Sequence, residues 1–295
     1  MDIKYKILGK LALFGTAFIW GTSFVVLKST LDSMGVFWVL ALRFTISASL
    51  MAVFAGKKLK QMSKPVVKAS ILMGLCLGVA YIVQTFGLKY TTPGKNAFLT
   101  TTYCVLVPFL SWAIYKKKPQ LSHVVAGILC ISGIGFVSLS GSDGGINIGD
   151  VLTLICGIFY ALQIIIMDRY LTEGDAMDVS VMQFAAGAVL CWVFALIFEN
   201  RPTVVPSSAW FSILYLSVMC TGVCFYLQAW GMQYTSATTS AVIMCFEAVF
   251  GALTSIIFYH EQITVKLLCG FALIFFSVVI SETNLKFSRA KKEAI

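Results

Sequence analysis

Ten apolar stretches, each long enough to cross a bilayer and each set off from the next by a short segment of Gly, Pro, Asp or Lys, leave this chain few folds to choose from. They fall near residues 8–27, 36–55, 69–88, 97–115, 123–140, 150–168, 179–198, 210–231, 239–258 and 265–281. A spanning helix takes about 20 mostly apolar residues, and lipid offers its backbone no partner outside the helix itself. Ten of them consume about 200 of the 295 residues, leaving connections but no room for a folded soluble domain. The expected fold is therefore an all-α polytopic membrane protein with ten transmembrane helices. The charge content agrees: 12% of residues are Asp, Glu, Lys or Arg, against roughly 25% in a soluble domain.

A net charge of +9 would suit a nucleic-acid partner if the cations were clustered. They are instead strung between the apolar stretches, so topology accounts for them and no nucleic acid is expected. With a cytoplasmic N-terminus, the inner segments hold Lys57, Lys58, Lys60, Lys64 and Lys68, then Lys116, Lys117 and Lys118, then Lys286, Arg289, Lys291 and Lys292. The outer ones hold little beyond Lys28, Lys89, Lys95, Arg201 and Lys266. The positive-inside rule then places both termini in the cytoplasm. The run from Leu11 to Leu27, behind Lys4, Lys6 and Lys10, is longer than a signal-peptide core and reads as the first helix.

Reactive chemistry is sparse. All nine cysteines lie inside apolar stretches and read as small buried hydrophobes. Cys220 and Cys224 share a helix face, but without histidine or carboxylate company they make a poor metal site, and no metal is expected. The two histidines, His123 and His260, sit near stretch ends and give no catalytic or zinc constellation. A GxxxxGK[ST] phosphate loop does not occur, so direct drive by ATP is not expected, nor is any cofactor.

The chain repeats itself. A shift of 144 lays Gln84, Gly87, Tyr90, Thr91, Ala97, Ser111 and Tyr115 on Gln228, Gly231, Tyr234, Thr235, Ala241, Ser255 and Tyr259. A shift of about 140 lays Trp20 on Tyr160 and Arg43 on Gln183. The halves, 1–142 and 143–295, hold five helices each. An odd number sends the second half into the membrane from the opposite side, so two inverted five-helix repeats are expected. That architecture recurs in transporters, whose halves can exchange conformations around a central site. A purely structural duplication would look the same.

The stretches FIWGTSF at 18–24, ALRF at 41–44, GLKYTTPGKNAFLTTTYCVLVPFL at 87–110 and YHEQIT at 259–264 resemble the ten-helix EamA-type branch of the drug/metabolite transporter superfamily. The resemblance covers essentially the whole chain. It implies a permease in a bacterial inner (plasma) membrane, moving amino acids, metabolites, vitamins or drugs, with export by exchange or proton coupling favoured over uptake. It also makes helix 2 peripheral, so Arg43 is expected to anchor to backbone or headgroups rather than to hold a substrate carboxylate. The glutamate matching Glu261 usually occurs in both halves of such proteins, whereas the first half here reads Lys116, Lys117, Lys118.

Polar groups on a lipid-embedded helix face the protein interior or a cavity, so their spacing outlines a candidate path. Thr16, Trp20 and Ser23 share a face of helix 1, and their repeat mates on helix 6 are Cys156, Tyr160 and Gln163. Tyr81 and Gln84 share a face of helix 3, as Phe225 and Gln228 do on helix 8. Asn96, Thr100 and Tyr103 form a stripe on helix 4, mirrored by Ser240, Met244 and Glu247 on helix 9. The substrate cavity is expected to be lined by Trp20, Ser23, Tyr81, Gln84, Asn96, Thr100, Tyr103, Tyr160, Gln163, Gln228 and Ser240. The bland alternative is that the hydroxyls merely pack helices and bond their own backbone.

Glu247 falls near the bilayer middle, where an ionised acid costs about 2.5 kcal/mol or more. It is the candidate for carrying protons, the alternative being a structural acid paired with a base such as Arg43. Pro108 removes a backbone donor and frees the carbonyl of Cys104, a candidate gate or kink in helix 4. Glu261 reads as a helix-end structural residue. The expected function is secondary active transport of a small metabolite, an amino acid, amine or drug-like compound. An uptake permease or facilitator for a vitamin or metabolite is the alternative in the same class, and a non-transporting sensor or membrane-embedded enzyme the alternatives outside it. An enzyme would need converging nucleophiles, bases or ligands, and none is evident. The partners expected are the small-molecule substrate, the bilayer and protons, with no obligate protein partner.

Overall fold

A computed structural model of the chain describes residues 3–55, 62–116, 118–140, 147–170, 176–235 and 237–283. Lys57, Lys58, Lys60, Lys117, Lys286, Arg289, Lys291 and Lys292, on which the orientation argument leans, lie outside them. Among the described residues the structure is helical throughout: α1 (Ile3–Thr30), α2 (Val36–Ala55), α3 (Lys64–Tyr90), α4 (Pro93–Thr101), α5 (Tyr103–Tyr115), α6 (Leu121–Ser138), α7 (Ile148–Tyr170), α8 (Ala176–Phe198), α9 (Ser207–Leu214), a π-helical segment (Tyr215–Val223), α10 (Cys224–Tyr234), α11 (Ala237–Met244), α12 (Phe246–Tyr259) and α13 (Val265–Thr283). Nine stretches among these residues are long and apolar enough to cross a membrane, and Val265–Ser281 adds a tenth, slightly shorter one. Three spans are composite: α4 with α5, α9 through α10, and α11 with α12. Most helices outrun the stretches read from hydropathy by two to five residues, because the apolar pattern ends with the hydrocarbon while backbone hydrogen bonding continues into the interface. Large apolar side chains such as Val189, Leu196, Ile257 and Phe276 stand exposed on the outside, the arrangement lipid favours. The cysteines are less uniform than expected: six are buried, Cys76 and Cys104 are partly exposed, and Cys269 is exposed.

Several element boundaries recur at the same offsets. The start of α2 at 36 falls on that of α8 at 176 with a shift of 140, and α6 begins 144 residues before α13, at 121 against 265. The only described non-glycine residues with positive φ are Lys116 (59°) and His260 (51°), again 144 apart, each closing its helix in a left-handed cap. Packing follows the same exchange. Helix α7 lies against α3, α4 and α5, and its mate α1 against α10, α11 and α12; α3 packs on α8 as the π segment packs on α2. The pairs α2 with α8 and α6 with α13 map onto themselves, and the composite spans α4–α5 and α11–α12 meet through α4 and α12. Glycine sets these distances. A Cβ on Gly149 would lie 2.6 Å from the Gly87 carbonyl oxygen, and one on Gly231 would lie 2.8 Å from that of Gly9. Any side chain at these crossings pushes two helices apart, which is why small residues mark close contacts in lipid.

Two irregularities escape the sequence. The span of α9 to α10 is wound as a π-helix over nine residues, whereas the corresponding part of α3 is regular. The π winding leaves carbonyls for neighbours: Trp20 Nε1 donates to the Cys220 carbonyl (2.6 Å) and Ser47 Oγ to that of Ser217 (2.9 Å). The second lies at Thr102 and Cys245, where the helices tighten for one residue (ψ −17° and −22°). Pro108 itself sits within continuous α5. Its repeat mate is Ala252, yet the second half has the same irregularity, so proline is not its cause.

Candidate functional site

A cavity of about 240 Å³ lies between the halves. Trp20 and Ser23 face it from α1, Tyr81 and Gln84 from α3, Thr100 from α4 and Tyr103 from α5. Tyr160 and Gln163 face it from α7, Gln228 from α10 and Glu247 from α12. Ten of the residues singled out above, Glu247 among them, thus meet at one place. Asn96 and Ser240, repeat mates on α4 and α11, do not line it. Asn96 is fully buried, donating to Thr153 Oγ1 (2.7 Å) and the Gln84 carbonyl (3.3 Å); Ser240 is held to Thr235 (2.5 Å). Their faces follow the same stripe as Thr100, but one turn along, where α7 or α1 crosses and covers them. Thr16 and Cys156, on the stripes of α1 and α7, bond their own helices.

The polar lining is tied into a network. Gln84 donates to Thr100 Oγ1 (2.9 Å) and accepts from Tyr160 OH (2.8 Å). The Tyr160 ring stands edge-on to Tyr81 (5.6 Å between centroids) and near Tyr103 (5.8 Å). Gln163 donates to Gln183 Oε1 (3.1 Å), and Trp20 meets Phe225 edge-on at 5.5 Å. Side chains locked this way hold a site without reorganisation on binding.

Arg43 corrects an expectation. It is not peripheral: it is 1% exposed and lines the cavity. Its Nε donates to Thr221 Oγ1 (2.9 Å), its Nη2 to Tyr81 OH (3.4 Å), and the guanidinium lies 4.8 Å from the Tyr81 ring centroid. Thr221 is free to accept because its own hydroxyl donates to the Leu216 carbonyl five residues back, a π-helical spacing. The π segment therefore shapes the Arg43 pocket. The signal for Arg43 lay in the repeat: its mate Gln183 also faces the cavity. Both members of six repeat pairs do so, namely Trp20 with Tyr160, Ser23 with Gln163, Arg43 with Gln183, Tyr81 with Phe225, Gln84 with Gln228 and Tyr103 with Glu247. In two of these pairs the symmetry fails in charge, since Arg43 faces Gln183 and Glu247 faces Tyr103 across the repeat.

The cavity is also asymmetric in depth. Val179, Ser180 and Met232 line it, while their mates Val39, Leu40 and Leu88 are 0% exposed in close packing. It thus extends toward the end where α7 and α10 finish and α8 starts, and is sealed where α1 and α3 finish and α2 starts. The sealed end is strapped. Lys28 Nζ donates to the carbonyls of Leu88 (2.5 Å), Lys89 (3.0 Å) and Thr91 (2.9 Å), taking up acceptors that the end of α3 leaves open. Glu199 accepts from the Phe37 and Trp38 amides (3.2 and 3.1 Å). Asp150 accepts from Thr91 (2.5 Å) beside Lys95. Glu261 accepts from Thr92, from the Gly94 amide (3.1 Å) and from Ser255 (2.5 Å), binding the end of α12 to the start of α4 in the structural role expected of it. In the sequence, the mates of these acids are Leu59, Lys10 and Lys117, which cannot make the same acceptor contacts.

Residues 7–139 and 147–283 each match the EamA-like transporter family. The chain is 33% identical over 280 residues to an uncharacterized transporter of Archaeoglobus fulgidus, covering 93% of this chain and 86% of that one. It is 24% identical over 293 residues to the uncharacterized transporter YoaV of Bacillus subtilis, covering 95% and 98%. A solved crystal structure superposes with a TM-score of 0.67 at 18% identity, covering 92% of this chain and 95% of the other, a likeness of fold alone.

Proposed function

Because the chain belongs to the EamA-like transporter family and is an integral membrane transporter by that membership, we propose that the cavity between its halves is the site through which a small metabolite passes. The observation that carries this reading is the pairing of the lining: both members of six pairs related by the sequence offsets line the cavity, as is expected if two inverted halves exchange conformations to show a solute to either side. The reading is alternating access by secondary active transport, with both termini cytoplasmic in a plasma membrane. The strapped end then faces out and the deeper end faces the cytoplasm, an inward-directed state suited to loading cargo for export. Proton coupling through Glu247, or exchange against a second metabolite, supplies the driving force. At about 240 Å³ the cavity lies just below the usual range of ligand pockets, about 300–1,000 Å³. This suits an amino acid or amine better than a drug-sized compound.

Gln84 gives the test. Replacing it with leucine keeps the volume but leaves Thr100 and Tyr160 without their shared partner, a loss of about 1–3 kcal/mol. For any solute that the purified protein moves into liposomes, Gln84→Leu is expected to cut initial flux at least about fivefold while the protein stays monodisperse in detergent. Unchanged flux in a well-folded variant would remove the cavity from the transport path.

A further inference from the structure

Resting on the reading of the cavity as the transport site, we propose that it selects zwitterions, with a substrate carboxylate docking at Arg43 and its ammonium at Glu247. Among the described residues these two are the only charged side chains that line the cavity. They come from opposite halves, and each replaces a neutral group at the mate position, Gln183 and Tyr103. A lone anion would answer Arg43 and leave Glu247 to be neutralised by a proton; a lone amine would answer Glu247 and leave the permanently charged Arg43 without a counter-ion in a site of low dielectric. A molecule carrying both charges answers both, and the polarity of the site then fixes which way round it lies.

The surroundings suit each role. Among the described residues Arg43 donates to neutral partners only, the Thr221 hydroxyl and the Tyr81 phenol. Its charge is therefore not cancelled by a hydrogen-bonded carboxylate, and its planar fork is the group best shaped for a bidentate carboxylate. Glu247 and Arg43 still act on one another electrostatically across the site, so a zwitterion between them replaces one distant attraction by two direct ones. The rings of Trp20, Tyr103 and Tyr160 on the cavity wall offer aromatic faces that favour an ammonium and cover an apolar frame. The class implied is a compact molecule with one ammonium, one carboxylate and an apolar or single-ring body.

The test is calorimetric titration of the purified full-length protein with a panel of the common amino acids, then with the decarboxylated amine and deaminated acid of the best binder. At least one amino acid is expected to bind, and its amine and acid to bind at least about tenfold more weakly. Arg43→Gln, which copies the mate residue, should erase the preference over the amine; Glu247→Gln should erase the preference over the acid. Wild type compared with itself across the three probes needs no variant, so a misfolded Arg43→Gln does not spare the proposal. It is overturned if no amino acid binds, if amine or acid binds as tightly, or if both variants weaken all three probes alike. Counterflow of the best binder in liposomes separates the two readings. Binding without flux contradicts transport and leaves the zwitterion site standing; flux of some other solute with no zwitterion bound does the opposite.

Discussion

A Glu247→Gln protein is expected to pass substrate downhill while losing its response to a pH gradient, with gradient-driven accumulation in proteoliposomes falling at least about tenfold. Glu247 occupies the first turn of α12, just past the irregularity at Cys245, and faces the cavity. In lipid a charged side chain at that depth costs about 2.5–3.5 kcal/mol, so its charge depends on what shares the cavity with it. A cationic group of the substrate and a proton are alternative ways of neutralising one carboxylate, and mutual exclusion at one site is what couples two fluxes. Glutamine keeps the shape and removes the competition. Residual downhill flux with a raised KM and no dependence on the imposed gradient is the expected pattern. If accumulation still follows the gradient, the proton path lies elsewhere.

Lys28→Met is expected to unseal the strapped end. The ammonium satisfies three carbonyls at and just beyond the end of α3 and lies 5.9 Å from the Tyr259 ring centroid. Each bond from a charged donor is worth about 1.5–3 kcal/mol when buried. Discounted for the partial exposure of Lys28, the loss is about 1–2 kcal/mol, roughly tenfold in the balance between sealed and open arrangements. Hydrogen exchange of the amides between Leu88 and Asn96 reads it out: protection should fall by about that factor in the variant. Protection equal to wild type would mean that the other contacts at that end, and not Lys28, hold the seal.

The repeat was visible in the sequence because helix crossings demand small residues and the cavity demands polar ones, and both kinds recur at fixed offsets. Gly87 with Gly231 and Gln84 with Gln228 are such pairs. What hydropathy could not show was winding. Nothing in YLSVMCTGV distinguishes a π segment from an α-helix, since the choice rests on side chains from elsewhere, Trp20 and Ser47, claiming its carbonyls. Arg43 was legible only through Gln183. Alone, an arginine two turns into a helix resembles an interface anchor; as half of a pair whose partner is an amide, it belongs to the cavity. Asn96 and Ser240 fit the stripe on the helical wheel but are covered by a crossing helix, a fact of tertiary packing. Pro108 drew attention as a helix breaker, yet the irregularity stands at Thr102 and recurs at Cys245 without a proline.

The central claim, that one cavity is presented in turn to both faces of the membrane, is tested most directly by counterflow. Liposomes loaded with an unlabelled solute that binds the protein are diluted into a trace of the same solute carrying a label. Alternating access predicts a transient, saturable accumulation of label above its equilibrium level, absent from protein-free liposomes and weakened in Gln84→Leu. Monotonic entry to equilibrium at a rate indifferent to the internal load would contradict it and mark the protein as a pore or a non-transporting membrane component.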